Sequence, residues 1–194
     1  MSQNIEIEFK NMLTKAEYEL FLKKFLITET QIFSQENHYF DTADFALMRE
    51  GSALRIRQKR GSYELTLKQP ATIGLLETNQ NLSKNEALLA IEHGNLPTGI
   101  IQRLIEEYGI SFSQLVYFGS LKTNRVEWEY KKGLLVLDHS IYLNKEDYEL
   151  EYEVKDIQAG QQIFLELLLR LEIPKRNTEN KIRRFYNQKQ KQQD

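Results

Sequence analysis

Charged residues fall on every second position in five separate segments of this chain. In NIEIEFKN they are Glu6, Glu8 and Lys10, with Ile5, Ile7 and Phe9 between them. ALRIRQK sets Arg55, Arg57 and Lys59 against Leu54 and Ile56, and YELTLK sets Glu64, Thr66 and Lys68 against Leu65 and Leu67. TNRVEWE alternates Thr123, Arg125, Glu127 and Glu129 with Val126 and Trp128. YELEYEV alternates Glu149, Glu151 and Glu153 with Leu150, Tyr152 and Val154. Carboxylates such as Glu6, Glu8, Glu149 and Glu151 are hard oxygen ligands that suit a divalent ion. Arginine and lysine suit a polyanion, and the arginine fork matches phosphate geometry. Both signs on one enclosed surface are what a metal–polyphosphate complex requires. The same spacing also describes a sheet with one wet face, where cross-strand Glu–Lys and Glu–Arg pairs contribute about 0.2–1 kcal/mol each. Periodicity alone does not say which face is covered.

Because side chains alternate across a strand, each set must be carried by extended chain. Period-two runs predict strands at 5–10, 31–41, 53–59, 62–68, 74–79, 114–130, 134–142 and 147–155. Helical spacing follows Thr14, an N-cap with Glu17 three residues on, and recurs at 83–92, 99–108 and 158–171. A polar helix is expected from Thr178 to about Lys189, with residues 188–194 fraying. Most strands pass into the next through short polar links such as KRGS and KKG, which favours an antiparallel meander over a doubly wound sheet. Eight such strands can close on themselves and remove their open edges.

The chain's 194 residues suit one domain or at most two small ones, and no stretch reads as a linker. A net charge of −2 gives no overall field that would draw nucleic acid or an anionic membrane. Cysteine is absent, which excludes disulfides, zinc–thiolate sites and a thiol nucleophile. No long apolar run and no leader pattern is present, so a soluble cytoplasmic protein is expected. His38, His93 and His139 are too scattered for a histidine metal site, and no glycine-rich phosphate loop is present. The basic, aromatic KIRRFYNQKQKQ reads as a solvated terminal helix, and the apolar 163–171 run as core covering a barrel. Asn37, Tyr39 and Asp41 have the parity to edge a site, although Asp41-Thr42 also suits a turn.

The ExExK form of Glu6-Ile7-Glu8-Phe9-Lys10 resembles the signature of the CYTH superfamily, the triphosphate tunnel metalloenzymes. NHYFDT, GSALRIRQ, ELTLKQP, KTNRVEW, VLDHS, YELEYEV and NKIRRFY follow in the family's order along nearly the whole chain. The resemblance is greatest to a bacterial branch related to thiamine triphosphatase, inorganic triphosphatase and class IV adenylate cyclase. It implies an α+β fold dominated by antiparallel β: a closed eight-stranded barrel, open as a tunnel, with charged residues inward and helices packed outside. It implies a single domain over 1–194, magnesium or manganese as cofactor, and a small triphosphate-bearing partner. It also implies a homodimer as a further possibility, with no membrane and no nucleic acid. Carried over residue by residue, the metal set would be Glu6, Glu8, Asp138, Glu149, Glu151 and Glu153, with Glu77 as a further acidic position. Lys10, Arg55, Arg57, Lys68, Arg125 and Lys181 would hold the phosphates, and Glu6, Glu8, Lys10 and Arg57 would be catalytic. The activity implied is metal-dependent triphosphate hydrolysis. The alternatives are cyclisation of ATP to cyclic AMP and pyrophosphate, or binding of polyphosphate or nucleotide without turnover.

Overall fold

The computed structural model describes residues 2–193. In chain order its elements are β1 (Ser2–Leu13), α1 (Lys15–Lys24), β2 (Phe33–Thr42), α2 (Ala46–Arg49), β3 (Ala53–Lys59), β4 (Ser62–Pro70), β5 (Leu75–Leu82), α3 (Lys84–His93) and α4 (Ile100–Glu107). There follow β6 (Leu115–Tyr130), β7 (Gly133–Tyr142), β8 (Lys145–Val154), α5 (Ile157–Arg170) and α6 (Lys181–Gln193). The strands hydrogen-bond in the order β1-β5-β4-β3-β2-β6-β7-β8 and close as a barrel, so the expected α+β architecture is present. β3 to β5 and β6 to β8 are meanders, as the short links require. β1 is the exception: Ser2–Glu6 pairs with β5, and from Ile7 onward it pairs with β8.

Local sequence explains most boundaries. Thr14 and Glu17 form a capping box: the Thr14 side chain accepts from the Glu17 amide at 3.2 Å, and Glu17 accepts from the Thr14 amide at 2.7 Å. Ser83 and Glu86 repeat the device at α3. Asp156 caps α5 by accepting from the Ala159 amide at 3.0 Å. Arg60 and Gly61 turn β3 into β4 with φ of 50° and 81°, the left-handed pair that suits a tight hairpin. Three features depart from the sequence reading. The short α2 is not periodic enough to be seen; it forms because Asp41, six residues upstream, accepts from the Leu47 and Met48 amides. α6 starts three residues later than expected. It also continues to Gln193, so residues 188–193 are helical where fraying was expected, and Asp194 lies outside the described residues.

The chain divides into two compact units, one comprising residues up to Glu6 with Gln35–Leu121, the other Ile7–Ser34 with the chain from Lys122 onward. In the first, Leu54 and Ile56 of β3 and Leu65 and Leu67 of β4 pack with Ala87 and Ala90 of α3 and Ile101 and Ile105 of α4. In the second, Leu135 and Leu137 of β7 and Leu150 and Tyr152 of β8 pack with Phe21 of α1 and Phe164, Leu167 and Leu168 of α5. Each such leucine, isoleucine or phenylalanine contributes roughly 1.5–3 kcal/mol by leaving water. α5 lies close enough to the sheet that a Cβ at Gly160 would stand 2.6 Å from Val154. The apolar parity is therefore the helix-covered one in both units. The alternating charges occupy the opposite face, which settles the choice that strand periodicity left open.

Candidate functional site

In the first unit the charged face is built on β1, β3, β4 and β5. Lys68 and Glu77 are direct cross-strand partners, and the Lys68 ammonium lies 2.7 Å from Glu77 and 2.5 Å from Glu6. Arg55 approaches Glu77 at 3.9 Å, and its buried Nε–H finds no hydrogen-bond acceptor among the described residues. Arg57 is oriented from β2, where Asn37 accepts from its Nε at 3.1 Å. Beside them Thr66 donates to Asn79 at 2.8 Å. Burial works against the Glu77 carboxylate, but Lys68, then Arg55 and Arg57, outweigh it and hold its pKa below the ordinary value. The arrangement is a set of fixed cations, one of them with a free donor.

The second unit carries a denser, more acidic set. Asp138 of β7 faces Arg125 of β6 on one side and Glu149 of β8 on the other. The Arg125 guanidinium grips Asp138 through two bonds of 2.7 and 2.6 Å and reaches Glu151 at 2.9 Å. Lys10 stands opposite Glu151 in the β1–β8 register and bonds Glu8 at 2.6 Å. From α6, the Lys181 ammonium enters among Asp138, Glu149 and Glu151 at 2.8, 2.5 and 2.5 Å. Asp138 and Glu149 are wholly buried, so none of these charges is tolerable alone. Burial opposes ionisation of Asp138 and Glu151, yet both carboxyls are held below the usual range. Arg125, then Lys181, does this for Asp138; Lys181, then Arg125 and Lys10, does it for Glu151. The same carboxylates outweigh burial at Lys181 and hold it well above the ordinary lysine value.

What places Lys181 there is a tether. Asn11 of β1 donates to the Pro174 carbonyl at 3.1 Å and accepts from the Arg176 amide at 2.6 Å, fixing the segment that leads to α6. Asn180 then accepts from the Arg183 amide at 2.9 Å and starts the helix. Arg184 holds Asp147 at 3.0 Å and Glu149 at 3.0 Å, and Phe185 packs on Tyr142 with ring centroids 5.8 Å apart. α6 is thus not the solvated helix that its composition suggests: Arg184, Phe185 and Tyr186 are buried. Its polar, lysine-rich end misled the reading, because the buried residues lie in the first two turns.

Of the residues expected to bind metal, Asp138, Glu149 and Glu151 come together, each offering an oxygen within 4.8 Å of the others. Their hard, buried oxygen donors fit a divalent cation. Glu8 stands by Lys10, and Glu153 is its cross-strand neighbour at the end of β8. Glu6 and Glu77 instead meet on Lys68 in the first unit. Arg184 and Asp147 were missed. The signal was present, since Lys181 and Arg184 are three residues apart and share a helix face. Asp41 shapes the β2–α2 turn, as its amide bonds show. His139 pairs with Glu146 at 2.8 Å and stacks on Tyr148, a structural role.

A closed antiparallel barrel whose strands carry alternating cationic and acidic residues defines a recognisable class. The model of the CYTH domain matches residues 4–186, and this chain belongs to that family. It is 52% identical over 98% of its length, and 99% of the relative's, to YjbK of Bacillus subtilis (strain 168), whose name provisionally assigns it as a triphosphatase. A Bacillus halodurans crystal structure, described provisionally as an adenylate cyclase, matches with TM-score 0.93 and 44% identity over 96% of this chain and 100% of that one. The Hippeastrum protein HpAC1 shares the fold at TM-score 0.78 and 22% identity, over 94% and 96% of the two chains. No helix among the described residues is long and apolar enough to cross a membrane.

Proposed function

We propose that this protein is an enzyme that hydrolyses a triphosphate, inorganic or carried by a small organic group, with the help of magnesium or manganese. One observation carries the reading: a buried trio of carboxylates on β7 and β8 stands among cations, the Arg125 guanidinium from β6 and the Lys181 ammonium from α6. The name of the 52%-identical relative supports it. Asp138, Glu149 and Glu151 would hold the ion, with Glu8, Glu6, Glu153 and Glu77 as further acidic positions. When bound, such an ion offsets phosphate charge and lowers the pKa of water. Arg55, Arg57, Lys68, Lys10, Arg125 and Lys181 would bind and orient the phosphates. Those on the strands are held by their neighbours before the reaction, so they stabilise charge moving to the leaving group with little reorganisation. Arg55 has a donor ready, and Arg57 is aimed by Asn37. Glu6 and Glu8 keep Lys68 and Lys10 in place. A cytoplasmic location, a small-molecule partner without nucleic acid, and self-association as a dimer accompany this reading.

The test is phosphate release from inorganic triphosphate, thiamine triphosphate, ATP and GTP, each with magnesium and with manganese. Turnover without added divalent ion, or undiminished turnover in Glu6→Gln and Arg57→Ala, would sink the proposal. Cyclisation of ATP is the second reading, favoured by the description of the 44%-identical structure. Cyclic AMP with pyrophosphate as products, in place of ADP with phosphate, would establish it.

A further inference from the structure

The Lys181 ammonium sits on all three members of the carboxylate trio that would hold a divalent ion. The Lys181 Nζ contacts Asp138 Oδ2, Glu149 Oε2 and Glu151 Oε1, one atom from each member of the carboxylate trio. A magnesium-sized ion ligated at roughly 2.0–2.1 Å by these carboxylates leaves no place for an ammonium on the same atoms. Two cations so close would also repel each other. Arg184, three residues on, is held differently. It bonds Asp147 through Nε at 3.0 Å and Nη2 at 3.2 Å, Glu149 at 3.0 and 3.3 Å, and the Glu179 carbonyl at 2.6 Å. Asp147 is itself fixed by a 2.6 Å bond from the Tyr142 hydroxyl. α6 therefore has one anchor that is independent of Asp138 and Glu151, and ahead of it a lysine whose every partner is a candidate metal ligand.

We propose that Lys181 is the resident counter-cation of the carboxylate trio, that a divalent ion displaces it, and that Arg184 is the positioning residue that keeps Glu149 and α6 in place as it leaves. The released ammonium becomes available to the triphosphate, so metal loading prepares an anion site on the same helix. Metal and triphosphate then strengthen each other's binding, and the coupling is reciprocal. This inference rests on the triphosphatase reading.

Two measurements on the full chain, without triphosphate, test it. Titration calorimetry with Mn2+ alone should show Lys181→Met binding the ion roughly tenfold or more tightly than wild type, because no ammonium has to leave first. Arg184→Met should bind it about 10–100-fold more weakly, and Arg184→Lys should recover part of the loss. Mass spectrometry of amine labelling should show Lys181 reacting several times faster once Mg2+ is added, roughly the change expected when a side chain loses its protected state. Exposed Lys131 should be unchanged. Wild-type affinity in Lys181→Met, or unchanged labelling with Mg2+, overturns the proposal, since simple repulsion would leave Lys181 in place. If wild type hydrolyses triphosphate and binds Mn2+ while both results are null, only the displacement fails. If wild type binds no Mn2+ at all, the metal-dependent reading falls with it.

Discussion

Removing Arg125 separates a structural debt from a catalytic one. Its guanidinium makes two bonds to Asp138, at 2.7 and 2.6 Å, and a third to Glu151 at 2.9 Å, in a place where Asp138 has no exposure. Charge-assisted bonds of this kind cost roughly 1.5–3 kcal/mol each to break, so the three would sum to about 4.5–9 kcal/mol if nothing compensated. Two things do: the desolvation of the guanidinium is relieved, and Lys181 remains beside both carboxylates. The expected destabilisation of Arg125→Met is therefore about 3–5 kcal/mol, the range for leaving a buried charge without its partner. For a chain of this length that lowers Tm by on the order of 10 °C. Urea denaturation at pH 7, followed by circular dichroism, measures it. The double variant Arg125→Met/Asp138→Leu removes both charges and should recover most of the loss. A loss below about 1 kcal/mol in the single variant, or no recovery in the double, would refute the account of this cluster as a mutually dependent buried network.

Acid should expose the same network. Glu77, Asp138 and Glu151 have folded-state pKa values below their unfolded ones, so their stabilisation is complete above about pH 5 and is lost as pH falls below about 4 through the folded values. A urea midpoint that rises between pH 5 and pH 3 would contradict this. Leu65→Ala, at a fully buried position between β4 and the helices of its unit, should cost about 2–5 kcal/mol in the same assay. Ser83→Ala removes the α3 capping box and should cost about 0.5–2 kcal/mol, with turnover unchanged. Asn37→Ala should raise KM more than it lowers kcat, because it takes one orienting partner from Arg57 without removing the guanidinium.

Strand periodicity was readable because a period of two admits few alternatives once eight segments repeat it. Thr14 marked a helix start through its pairing with Glu17 three residues on; Ser83 and Glu86 carry the same signal. What covers each face was not readable, since LRIR alternates equally well in either orientation; Ala87 and Ile101, far along the chain, decide it. Asp41 capping α2 and Arg184 holding Glu149 depend on pairs brought close only by folding, and composition pointed the wrong way for α6. Pairing within the site was likewise beyond reach. Glu6 and Glu8 are two residues apart on one strand, yet one settles on Lys68 and the other on Lys10.

The change of partner along β1 has a consequence for how the protein is made. β1 is synthesised well before β8, so Ile7 has to wait for Val154 and the barrel cannot close until β8 has emerged. Such distant pairings are slow, and for that interval β1 is an open edge able to recruit any other extended chain. Glu6, Glu8 and Lys10 interrupt that edge at every second residue, which is how exposed strands resist sticking to one another. The charges that line the finished site thus guard the nascent strand before any site exists.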